Sequence, residues 1–235
     1  TTLYGVLSEM NSEELKIVTC EDYVEVELEG VHQMQVDPSR GVTFASGVHE
    51  LLLQDPDVVM IGEIRDRETL TLSVNLTLTG HLVCSVMHAD DAVQAVRRML
   101  DLGVEPYLLK GKLIGVMAQR LVRRVCEGCK EEYAPENLPA QYAEFLQGVT
   151  LTKGRGCDLC SGTGYRGREG IYELLEVNDR LARMIGSGSD CDIAELRNQA
   201  IESGMIPMRE DGLEKVRQGL TTLEEVLRVT ADMQG

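Results

Sequence analysis

The stretch DPDVVMIGEIRD, residues 55–66, most narrowly limits what this chain can fold into. Val58, Val59, Met60 and Ile61 are apolar in unbroken succession, so an extended segment here has no face left for water. A half-exposed strand alternates. An unbroken short run bounded by acidic residues and glycine fits a strand covered on both sides, as at the centre of a parallel sheet flanked by helices. In such sheets ligands bind in the crevice beyond the carboxyl ends of the strands. Glu63 follows the run after Gly62, which puts a carboxylate at that crevice, placed to orient a Mg²⁺-bound or attacking water. Gly62 lets backbone come close. The same residues also fit a strand followed by a solvated acidic turn, and taken alone the stretch does not choose.

Two further runs end in groups of the same kind. Residues 15–19 read as a strand leading into Glu21, Asp22 and Glu25, a cluster that could hold Mg²⁺ through water or position a nucleophile; a solvated loop is the alternative. In HLVCSVMH, His81 and His88 flank an apolar run, and seven steps at about 3.3 Å separate them by roughly 23 Å. Both cannot touch one phosphate. The carboxyl-end rule selects His88 as a γ-phosphate sensor and leaves His81 as a structural residue at the strand entry. His32 and His49 receive no role.

Composition narrows the partners. A formal charge of −16 argues against a nucleic-acid groove, which needs a basic patch to displace counterions, and disfavours docking on anionic lipid. No run of eighteen apolar residues is present, so the sequence predicts no membrane-spanning helix. Hydrophobic residues at 43% and charged residues at 26% are ordinary for a globular chain long enough to bury a sizeable core.

Of the seven cysteines, four form two C-x-x-C pairs, Cys126/Cys129 and Cys157/Cys160, separated by 27 residues. Two such pairs can close four thiolates tetrahedrally around Zn²⁺, and the longer loop between them adds little closure entropy. A disulfide or a lost metal is the competing reading. Cys20, Cys84 and Cys191 read as buried free thiols.

EDYVE, QDPDVVMIGEIRD and TGHLVCSVMHADDA resemble, in order and spacing, the Asp box, Walker B and His box of the secretion ATPases, the motors of type II secretion and type IV pilus assembly. TTLYGVL resembles the helix that follows that family's Walker A loop, and the likeness continues through LTGH, AQRLVRR, GTGYRGREGIYE and EEVLRVT. It implies an α/β, RecA-like P-loop NTPase core acting on ATP with Mg²⁺. It further implies that Glu63 positions water, that Asp22 and Glu25 support metal and nucleophile, that His88 senses the γ-phosphate, and that Thr1, Thr2 and Glu21 contact the cofactor. It also implies a homo-hexamer in the cytoplasm, held at the inner membrane by platform proteins rather than by direct insertion, while the acidic charge predicts no direct nucleic-acid contact. One unit of the chaperone CxxCxGxG zinc repeat is also matched by Cys157, Cys160, Gly162 and Gly164, but it occurs once and its partner pair lacks the glycines.

The sequence departs from the family's pattern. No glycine-rich loop with Lys and Ser/Thr is present, so the chain is expected to be a fragment or the product of an interrupted gene, without the family's amino-terminal arginine-finger domain. Tyr23 stands where Pro is usual, His49 and Leu53 where Arg is usual, and Ala89 and Asp90 where Thr and Asn are usual. The result is a more negative crevice and weaker nucleotide binding. A non-enzymatic, zinc-containing interaction module is therefore the alternative function.

Along the chain, residues 1–124 read as the α/β core, with helices at 67–77 and 92–101 and a further helix by period in KLIGVMAQRLVRRV. Residues 125–168 read as an inserted tetracysteine zinc subdomain. Residues 169–235 form a helical carboxyl-terminal end: GIYELLEV resumes a strand or helix, Asp192 caps a helix running to Gly204, and Thr221 with Glu224 forms a capping box before LEEVLRV.

Overall fold

The computed structural model describes residues 2–134, 140–143 and 145–231. In chain order it begins α1 (Thr2–Met10), β1 (Ile17–Glu21), β2 (His32–Gln35), α2 (Phe44–Leu52), β3 (Val58–Ile61) and α3 (Arg67–Leu78). It continues with β4 (Leu82–Ser85), α4 (Ala92–Asp101), α5 (Pro106–Lys112), β5 (Gly115–Val125), β6 (Lys130–Tyr133) and α6 (Ala140–Ala143). The last elements are β7 (Leu151–Gly154), β8 (Tyr165–Glu176), α7 (Asp179–Ile185), α8 (Ile193–Glu202), α9 (Met208–Arg217) and α10 (Leu223–Val229). Two compact units result. One comprises Thr1–His88, Ala95–Leu113 and Asp179–Cys191; the other comprises Ala89–Gln94, Ile114–Asn178 and Asp192–Gly235. Among the described residues no helix is long and apolar enough to cross a membrane.

In the first unit a parallel sheet of order β2-β1-β3-β4 pairs Ile17 with Val58 and Val58 with Leu82. Every residue of β3 is buried, and successive side chains serve opposite faces. Val58 and Met60 pack with Leu7 of α1 and Ile17, while Val59 and Ile61 pack with Val18, Val48, Leu51 and Leu76. That is why the run is apolar without alternation. Asp66 caps α3 by accepting the Thr69 N–H at 2.8 Å, and Thr43 caps α2 in a reciprocal box with Ser46.

The second unit is built on the antiparallel ribbon β5·β8 with α9 and α10 packed on it. KLIGVMAQRLVRRV is therefore a strand from Gly115 onward, not the helix its period predicts. Val122 and Ile171 are fully buried on the inner face with Met208, Leu213 and Val226, while Met117 and Leu121 on the outer face are each 45% exposed. Apolar residues on both faces of the ribbon imitate a helical spacing. Buried Glu173 of β8 accepts the N–H groups of Ala92 and Met208, at 3.1 and 3.2 Å, in the first turns of α4 and α9. Asp192 caps α8 as expected, accepting from Ala194 and Glu195. At α10 the cap shifts by one residue: Thr222 accepts the Glu225 N–H, because the Thr221 hydroxyl donates instead to the Arg123 carbonyl at 2.8 Å.

Candidate functional site

The carboxyl ends of β1, β3 and β4 bring Asp22, Glu63 and His88 together in the first unit. Gly62 is what lets the ends of β1 and β3 close on each other. Its N–H donates to the Cys20 carbonyl at 2.8 Å, and a Cβ at this position would stand 3.2 Å from the Glu21 Cα. The close approach that this glycine permits is thus to the neighbouring strand. Glu63 is 9% exposed. His88 Nε2 lies 3.3 Å from its Oε2, and the Arg65 guanidinium meets its Oε1 and reaches Asp22 Oδ2 at 3.8 Å. A desolvated carboxylate between an exposed imidazole and an exposed guanidinium can accept a proton, or orient a water on its open side.

The other acidic residues divide by burial. Glu21 is 3% exposed, and its carboxylate accepts hydrogen bonds from the Tyr4 hydroxyl, the Thr19 hydroxyl and Gln33 Nε2. Asp22 and Glu25 are exposed on the loop that follows. Thr2 opens α1, half-buried, and Thr1 lies outside the described residues. His81 is held at the end of α3, with Nδ1 2.9 Å from the Thr79 hydroxyl and 3.0 Å from the Leu76 carbonyl. Tyr23, His49 and Leu53 are exposed. Two participants were not singled out by sequence reasoning. Arg65 could have been weighed as a cation two positions after Glu63, whereas nothing near Tyr4 in the chain hints at its link to Glu21.

The second unit holds Cys126, Cys129, Cys157 and Cys160, whose sulfur atoms all lie within 4.8 Å of one another. Cys126–Cys157, Cys129–Cys160 and Cys157–Cys160 are 3.9, 3.8 and 3.8 Å apart. Four thiolates at about 2.3 Å from a tetrahedral Zn²⁺ stand about 3.8 Å from one another, whereas a disulfide would need about 2.05 Å. The donor set therefore fits zinc, and these four residues would hold it. Backbone makes the cradle. The N–H groups of Cys157 and Gly164 each donate to Cys160 Sγ at 3.2 Å. Burial opposes ionisation of Cys160, but those two amides and the neighbouring thiols outweigh it and pull its pKa down to about 6. Elsewhere Cys20 and Cys191 are buried, but Cys84 is only half-buried, correcting the expectation of three buried thiols. Burial, with Asp22 and Glu21 nearby, pushes the Cys20 thiol up to about 12.

Residues 1–228 match the family model described as type II/IV secretion system protein. The chain is 47% identical over 233 residues to the type II secretion system protein E of Dickeya dadantii (strain 3937), covering 99% of this chain and 46% of that protein. It is 46% identical over 236 residues to the type IV pilus assembly ATPase PilB of Thermus thermophilus, covering 98% of this chain and 26% of PilB. It therefore spans less than half the length of these curated relatives. Among solved structures, the ATPase DotB of Legionella pneumophila superposes with a TM-score of 0.70 at 19% identity, over 98% of this chain and 56% of that one. The pilus retraction motor PilT, solved with bound ADP, does so with a TM-score of 0.65 at 22% identity, over 97% of this chain and 55% of PilT. These likenesses show a shared α/β fold.

Proposed function

The chain belongs to the type II/IV secretion system protein family, and on that premise we propose that its acidic crevice is the catalytic half of an ATP-hydrolysing motor for protein secretion or pilus assembly. The observation that carries this reading is Glu63, a buried carboxylate at the end of a central parallel strand with His88 at 3.3 Å. Glu63 orients the attacking water, His88 reports the γ-phosphate, and Asp22 and Glu25 stand at the cation side; Thr2 opens α1 at the phosphate end, and the cofactor contact expected of Thr1 falls outside the described residues. Bound Mg²⁺ would supply charge neutralisation at the phosphates. The tetracysteine site of the second unit would be a structural zinc centre in a docking subdomain. The intact motor would work as a hexamer in the cytoplasm beside inner-membrane platform proteins.

Residues 1–235 contain no glycine-rich phosphate cradle, and phosphoryl transfer depends on such positioning. In a protein that joins these residues to a cradle, Glu63→Gln keeps the shape and removes the water-orienting charge. Phosphate release should then fall by at least about 10²-fold, the size of a general acid–base effect. Equal rates would remove Glu63 from the reaction. The interaction-module reading draws on Ala89 and Asp90, and it gains if the cradle-carrying protein is inert while the zinc centre is intact.

A further inference from the structure

The Tyr4 hydroxyl, on α1, touches both ends of the acidic loop: it donates to Glu21 Oε2 and accepts the Glu25 N–H at 3.1 Å. The loop between is fastened from β2. Gln35 accepts the Val24 N–H at 3.2 Å; Gln33 accepts the Leu28 N–H at 2.7 Å and donates to the Val26 carbonyl at 3.0 Å. Leu28 packs against the Leu7 and Ile17 cluster, but nearer the acidic residues packing contributes little, since Tyr23 and Val26 are 69% and 53% exposed. Hydrogen bonds therefore decide where the loop backbone stands, and the Tyr4 hydroxyl joins the last residue of β1 to the residue four positions on.

We propose that Tyr4 is a positioning residue of the crevice: seated on the buried Glu21 carboxylate, its hydroxyl fixes the backbone that carries the Asp22 and Glu25 carboxylates. The proposal rests on the reading above, in which those carboxylates and Glu63 serve a divalent cation. A phenol can donate and accept at once, and a bond to an ionised carboxylate is the stronger kind. Burial and the Glu21 carboxylate raise the Tyr4 pKa, so the hydroxyl keeps the proton it donates. Glu21, its oxygens taken by Tyr4, Thr19 and Gln33, serves as the anchor of this arrangement.

The test uses Tyr4→Phe in the 235-residue chain, which keeps the ring packed beside Leu7 and Ile17 and removes the hydroxyl. Amide exchange of Glu25, followed by NMR, should quicken about tenfold, the order expected for one hydrogen bond, while Val59 and Met60 in β3 stay within about twofold. Mn²⁺ alone is the second probe. The concentration that broadens the Asp22 and Gly62 amide signals should rise about threefold to tenfold in the variant, as a loosened carboxylate pair loses pre-organisation. Unchanged Glu25 exchange overturns the proposal, as does quicker exchange with an unchanged Mn²⁺ response. Asp22→Asn separates the two levels. If it shifts the Mn²⁺ response and Tyr4→Phe does not, positioning alone fails; if neither shifts it, the cation reading fails and takes the proposal with it.

Discussion

Two buried glutamates show how surroundings separate a structural carboxylate from a reactive one. Glu225 is 1% exposed and accepts from the Arg123 N–H and guanidinium at 3.0 and 2.7 Å and from Arg228 Nε and Nη2 at 2.9 and 2.7 Å. Burial works against its charge, but the bonds from Arg228 and Arg123 outweigh it and hold the pKa at about 2, below the ordinary 4.5. Nothing is left for chemistry. Glu63, by contrast, meets only the exposed side chains of Arg65 and His88 among the described ion pairs. Because the Glu225 pKa is depressed on folding, its stabilisation is present above the unfolded value and is lost as pH falls from 4.5 towards about 2. Glu225→Gln should therefore destabilise by about 2 kcal/mol at neutral pH, the worth of hydrogen bonds to a charged group. In urea unfolding the difference between wild type and variant should shrink as pH falls through that window. A pH-independent difference would mean that the carboxylate is not ionised in the fold.

At the scale of elements, legibility followed how local the deciding contact is. The cysteine pairs and β3 were readable because a knuckle closes over four residues and a doubly covered strand needs no alternation. β5 reads as a helix because its partner is distant in the chain, Gly115 facing Glu176 and Val125 facing Tyr165, and nothing nearby marks its period as two. Thr222 was mistaken for Thr221 because the contact that occupies Thr221 comes from Arg123. Glu63, Asp22 and His88 were readable as strand-end residues, whereas the anchoring of Glu21 by Tyr4 and Gln33 depends on three separate elements. The four-cysteine cluster supports two predictions. Elemental analysis of the purified chain should find about one Zn²⁺, since four thiolates saturate a tetrahedral site, and changing both Cys126 and Cys157 to Ser should abolish retention. A well-folded, metal-free wild-type chain would remove the zinc assignment. Gly154 and Gly164 lie so close that a Cβ on Gly154 would overlap the Gly164 carbonyl, whose oxygen accepts the Cys126 N–H at 3.0 Å. Gly154→Ala should thus displace the backbone that orients the cysteines and speed zinc loss to a chelator by about tenfold or more, the effect of disturbing the shell around a metal. An unchanged release rate would show that the cradle does not depend on this contact.

For the molecule as a whole, the charge of −16 sets the terms on which any nucleotide approaches. ATP brings several negative charges, and the crevice offers Asp22 and Glu63 against the guanidinium of Arg65 among the described ion pairs. Carboxylates without a Lys and a backbone N–H cradle repel a triphosphate more than they hold it. The 235-residue chain should therefore release no phosphate from ATP above the rate in buffer, and it should bind a fluorescent ATP analogue weakly. Salt tests the cause. The screening length falls from about 30 Å at 0.01 M to about 8 Å at 0.15 M, so long-range repulsion relaxes over that interval. Affinity for the analogue should accordingly rise with salt, whereas a site dominated by Lys and Arg contacts would weaken. A titration of the analogue at the two ionic strengths decides between them: affinity that falls with salt would mean that cations of this chain already form a phosphate site, and measurable turnover would mean that these residues need no added cradle.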